Sequence, residues 1–133
     1  MEIHLINFTT GDYRELKEIL KSEGRLIKLD RFDKAVFVGW VHSDPSSLEW
    51  VLSNYAIDPM VAIITVGDII DRGKFKSALK SLELLFEAKL KGGNVFICHT
   101  NHFAYHHISF YPADFWLKLN KTALVSRAVS VIF

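Results

Sequence analysis

The run Val61-Ala62-Ile63-Ile64-Thr65-Val66, stopped by Gly67-Asp68, sets six apolar or β-branched residues in a row between two turn signals. Such an unbroken run suits a strand buried on both faces, the kind found inside parallel sheets. Working outward, Asp58-Pro59 breaks the preceding pattern, and before it Leu48, Val51, Leu52 and Tyr55 recur at helical spacing. That helix opens on Asp44-Pro45, an N-cap followed by the proline favoured in a first turn. Further upstream, Ala35 to Val38 is a second compact apolar run ending at Gly39, expected as another strand buried on both faces. Downstream, Phe75, Leu79, Leu82, Phe86 and Leu90 mark a long helix that Gly92-Gly93 should end in a left-handed C-cap. Asn94 to Cys98 reads as a third buried strand. Strand, helix, strand, helix, strand implies an α/β fold with a parallel βαβαβ core.

Toward the N-terminus, Asp12 to Glu15 has the form of a helix start, with Tyr13, Leu16, Ile19 and Leu20 following at helical spacing until Gly24. Arg25 to Leu29 alternates as a short strand would. Beyond the third strand, Pro112 and Asp114 open a short helix carrying Phe115, Trp116 and Leu119, and Ala123 to Phe133 suits a final strand. Phe110, Tyr111, Phe115 and Trp116 read as core or interface residues.

A chain of 133 residues accommodates one domain, so residues 1–133 are expected to form a single unit. Half the residues are apolar and the formal charge is +1, a balance that gives no reason to expect nucleic acid or an anionic membrane as partner. Glu2 and His4 do not fit a signal peptide and no stretch is long enough to span a membrane, so the expected compartment is the cytoplasm. Cys98, alone in an apolar run, is expected as a buried inert thiol.

In open parallel sheets, ligands bind outside the carboxyl ends of the strands. The three loops there are Gly39 to Asp44, Gly67 to Gly73 and His99 to Phe103, and polar side chains with chemical potential are concentrated in them. Gly67-Asp68-Ile69-Ile70-Asp71-Arg72-Gly73 reproduces the GDxxDRG signature of phosphoprotein phosphatases. Val38-Gly39-Trp40-Val41-His42-Ser43-Asp44 is similar to that family's GDxHGD motif, and Thr100-Asn101-His102-Phe103 to its GNHE motif, in the same order. From about residue 35 to 103 the chain thus resembles the calcineurin-like metallophosphoesterases, closest to the serine/threonine protein phosphatases. The resemblance implies the N-terminal half of an α/β/β/α sandwich.

It also implies a reaction, in which two divalent ions (Mn, Fe or Zn) activate a water that attacks a phosphomonoester in line. By the resemblance, Asp68 bridges the ions, His42 ligates the first and Asn101 the second, with Asn101 also near the phosphate. His102 protonates the leaving oxygen, Asp71 holds the His102 imidazole, and Arg72 grips the phosphate bidentately. The implied partner is a phosphorylated protein or a small phosphomonoester.

Departures are specific. Trp40 stands where the first motif has an aspartate ligand, and an indole cannot coordinate a divalent ion; the expectation is that it fills the vacated pocket. Thr100, Phe103 and His99 replace a glycine, a glutamate and a phosphate-binding arginine. The family's C-terminal histidine ligands are missing from the thirty residues after Phe103, where His106 and His107 are better read as loop histidines. Two protein ligands per ion remain, against the usual three. Two readings of function follow: an impaired metal-dependent phosphoesterase, or an inactive relative serving as a binding module. A small nucleotide-binding module lacks the Gly-rich loop it would need. Taken alone, Asp68 and Asp71 would cap the following helix, and the tail's apolar residues would favour a homo-oligomer.

Overall fold

Val61–Thr65 is buried at every position because it lies in the middle of a sheet with neighbours on both edges. A computed structural model describes residues 9–100, 102, 111 and 113–119. Its elements in chain order are α1 (Thr10–Glu23), β1 (Lys34–Val38), α2 (Pro45–Tyr55), β2 (Val61–Thr65), α3 (Phe75–Lys91), β3 (Val95–Ile97) and α4 (Asp114–Leu119). The sheet runs β1-β2-β3, parallel throughout, so the α/β architecture with its βαβαβ order is present.

Register decides what each face buries. Val36 pairs with Ile63 and Ile63 with Val95, so these three share a face, and it is covered by α2 and α3. Leu48 and Leu52 of α2 meet Leu79, Leu82 and Phe86 of α3 there, and Leu16 of α1 and the α4 residues Phe115, Trp116 and Leu119 join the same core. On the opposite face, among the described residues, the buried cluster is Ala62, Ile64 and Phe96, under Ile27, Leu29 and Phe32, while Ala35 and Phe37 of β1 lie exposed on the same side.

That asymmetry corrects two expectations. Among the described residues β1 is at the edge of the sheet, and it is not buried on both faces; Phe37 is 66% exposed. Arg25 to Leu29 is irregular chain, not a strand, and its alternating Ile27 and Leu29 serve to cover the second face without joining the sheet. Cys98, expected buried, is exposed one residue past β3.

Helix ends follow local chemistry. At α1 the cap is Thr9, whose side chain accepts from the Asp12 amide while Asp12 accepts from the Thr9 amide, a reciprocal box one turn earlier than Asp12 itself suggested. Asp44 caps α2 as expected, accepting from the amides of Ser46 and Ser47. α3 ends at Gly92 in extended backbone (φ −140°), so glycine is needed there for space: a Cβ would lie 2.7 Å from Asn94 Oδ1. Helix α4 forms where Asp114 was expected to start it. Phe115 and Trp116 are core residues as expected, whereas Tyr111 is 93% exposed. The expected strand from Ala123 to Phe133 lies outside the described residues, as does Phe110. Among the described residues no helix is long and apolar enough to cross a membrane.

Asn94 ties the lower end of the sheet. Its buried Nδ2 donates to the carbonyls of Ala56 (3.3 Å), Asp58 (3.0 Å) and Val61 (2.9 Å). Asn94→Ala leaves those acceptors without their donor and is expected to cost about 1–3 kcal/mol, read as a lower urea midpoint at unchanged slope. Tyr13, partly buried on α1, has its hydroxyl pushed up to about 12 by burial, then by Asp12 and Glu83. Its folded value thus exceeds the unfolded one, so this stabilisation is intact below pH 10 and is lost as pH rises toward 12. Tyr13→Phe should flatten that alkaline fall in stability, measured by denaturation across this range.

Candidate functional site

Two loops leave the carboxyl ends of β1 and β2, and they are locked together backbone to backbone. The His42 amide donates to Asp68 O (2.7 Å), the Ser43 amide to Ile69 O (2.9 Å), and Ser43 Oγ to Asp71 O (3.1 Å). Ile69 and Ile70, fully buried, anchor the second loop in the main core. The approach is close enough that a Cβ on Gly73 would meet Ser43 Cβ at 2.7 Å. Only glycine fits there.

Turning both chains this sharply strains them. Trp40, His42, Ser43, Asp68, Asp71 and Arg72 all have φ between 47° and 70°, and they include every described non-glycine residue with positive φ. Left-handed backbone costs an ordinary residue roughly 1 kcal/mol or more. Such strain confined to two facing loops marks where the fold accepts cost to aim side chains.

Those side chains converge on His102. Its Nδ1 lies 2.8 Å from Asp71 Oδ2, and its Nε2 lies 3.1 Å from Asp68 Oδ1. Only a doubly protonated ring can donate to both carboxylates at once. His42 Nε2 is 3.7 Å from the other Asp68 oxygen, and its Nδ1 is buried with no hydrogen-bond partner. The two imidazoles stand 6.2 Å apart, nearly perpendicular. Asp71 and His102 are buried, whereas Asp68 and His42 are partly open to solvent.

Asp71 is also held from behind. Its Oδ1 accepts from the Phe115 amide at 2.6 Å, and the Trp116 indole donates from Nε1 to His102 O. Asp71 thus caps the first turn of α4. It does not cap α3, which begins after Lys74 without any side-chain cap, and neither does Asp68. In the first loop, the Ser47 hydroxyl and then the Ser47 and Ser46 amides hold the Asp44 carboxyl below the usual aspartate range.

Five of the six anticipated residues are described. His42, Asp68, Asp71 and His102 come together, and Arg72 is exposed at the rim with no ion pair among the described residues. Asn101, and the histidines His106 and His107, lie outside the described residues. Trp40 does not fill the pocket as expected: it is 81% exposed. The participation of Phe115 and Trp116 was not anticipated. A buried tryptophan needs an acceptor for its N–H, and that requirement was the available signal.

As to metal, His42 Nε2 and the Asp68 carboxylate are a nitrogen and oxygen pair of the type that suits Mn, Fe or Zn. Among the described residues no group of three His, Cys, Asp or Glu side chains is placed to hold an ion. The donor types fit, and the described count is one short of the usual three.

Compared with models of known families, with curated proteins and with solved structures, the chain has no match.

Asp71→Ala would leave the Phe115 amide and His102 Nδ1 without their buried acceptor. It is expected to destabilise the fold by about 2–4 kcal/mol, with Asp71→Asn, which keeps one acceptor oxygen, costing less. Urea unfolding followed by tryptophan fluorescence reads both.

Proposed function

We propose that the loop cluster is a phosphomonoester site of the metallophosphoesterase type, hydrolysing its ester with an incomplete ligand set. The observation that supports this reading most is His102 clamped between Asp71 and Asp68 on two strained loops at the strand ends. In the reaction, water oxygen forms a bond to phosphorus and releases one proton to solvent, the ester P–O bond breaks, and the leaving oxygen takes a proton from a donor that solvent then reprotonates, leaving alcohol and inorganic phosphate. His102 Nε2 supplies that proton, exchanging Asp68 for the ester oxygen. Asp71 keeps Nδ1 bonded throughout. Arg72, exposed beside them, binds two phosphate oxygens with its planar fork. Asp68 and His42 would hold a divalent ion, which when bound supplies an activated water and neutralises phosphate charge.

A second reading, a module that binds phosphate esters without turnover, draws on Trp40. That position offers no donor, and its side chain projects into solvent. The substrate in either case is a phosphorylated protein or a small phosphomonoester.

Hydrolysis of an aryl phosphate by metal-stripped protein, with and without manganese, tests the first reading against Asp68→Ala. Manganese-dependent turnover that this substitution abolishes is the expected result, with His102→Gln lowering the rate about 10²–10⁴-fold. Trp40→Asp should raise the rate, because it restores a carboxylate and because aspartate tolerates positive φ better than tryptophan. Turnover no higher than in Asp68→Ala, even with aspartate at position 40, would leave the binding module.

A further inference from the structure

Helix α4 lies outside every stretch that resembles a phosphatase motif, yet two of its residues are bonded to the site. The Phe115 amide donates to Asp71 Oδ1, Asp71 Oδ2 meets His102 Nδ1, and His102 O accepts from the Trp116 indole. Phe115 and Trp116 are adjacent in the chain, so these bonds close a ring: Asp71, His102, Trp116, Phe115 and back to Asp71. Every member is at most 3% exposed. The aromatic rings tie the ring to the core, since Phe115 packs on Phe75 at the start of α3 (5.4 Å between centroids) and on Trp116 (5.5 Å).

We infer that Trp116 is a positioning residue for His102, and that α4 acts as a brace setting how the imidazole meets Asp71 and Asp68. The physical reason is the division of labour within the ring. Asp71 holds a ring nitrogen and does not bond to the peptide of residue 102. The indole bond to His102 O acts at a different point, on the peptide from which the imidazole hangs. An apolar side chain of the same size would fill the core equally well and would leave a buried carbonyl short of this donor. The consequence for proton transfer rests on the proposed phosphoesterase reading; the positioning itself does not.

Nuclear magnetic resonance of the full chain labelled with ¹⁵N at histidine and tryptophan tests it. In the unsubstituted protein the Trp116 indole proton is expected to exchange slowly with solvent; exchange at the rate of an exposed indole would overturn the proposal without any variant. Trp116→Phe keeps the ring in the core and removes the donor. The expected result is that the His102 ring nitrogens shift and its Nδ1 proton exchanges about fivefold faster, while amides remote from the site keep their positions. A variant that retains its amide pattern with unchanged His102 ring signals would also sink the inference. Because no reading depends on turnover, a protein inactive toward aryl phosphates but showing the His102 shift would keep the brace and lose the phosphoesterase.

Discussion

The Asp71 carboxylate is the point on which the rest of the site depends. It is 1% exposed, and a carboxylate removed from water must find partners for its oxygens or be neutralised. Its two oxygens are taken by His102 and by the Phe115 amide, and its own carbonyl accepts from Ser43. One residue thereby joins the loop after β2 to the loop after β1, to the segment after β3 and to α4. Removing any partner leaves a buried polar group exposed to its full desolvation cost, so the four segments hold one another in place.

That mutual hold explains how six non-glycine residues persist at positive φ. Their strain is of order 1 kcal/mol each. Against it stand Ile69 and Ile70, fully buried between the strained positions and each contributing roughly 1.5–3 kcal/mol. Three inter-loop hydrogen bonds add about 1 kcal/mol apiece. The two sides are of similar size. The dipeptide between the motif's aspartates is therefore an anchor, and Gly73 is the relief that lets the anchored loop lie against Ser43.

Local chemistry was readable wherever it determines structure locally. Asp44-Pro45 announces a capped helix, the Val61 run announces a central strand, and Asp114 opens α4, because each acts through neighbours within a turn or two. The errors share the opposite cause. Ala35 to Val38 looks as apolar as a central strand, but whether a strand lies at an edge depends on pairing that its own residues do not encode. Cys98 sits in an apolar run that simply leaves the sheet one residue earlier than its composition suggests. Gly92 suggests a left-handed cap, yet its backbone is extended and its task is to make room for Asn94. At the site, motif spacing brought His42, Asp68, Asp71 and His102 into view. The brace from α4 stayed hidden because tryptophan and phenylalanine announce burial and say nothing of where an N–H points.

The two carboxylates on His102 are not equivalent, and the difference suits the proposed reaction. Asp71 is sealed in the core and bonded on both oxygens, and it lies closer to the ring. Asp68 is 19% exposed at its side chain, farther from His102, and shares its other oxygen loosely with His42 at 3.7 Å. A proton donor needs one nitrogen fixed, so that its direction is set, and the other held weakly enough to exchange partners. A ring gripped equally on both sides would be a structural strut. Here the firm contact is with the sealed carboxylate and the weaker one with the carboxylate that is partly open to solvent, so the nitrogen able to change partners is the one on Asp68.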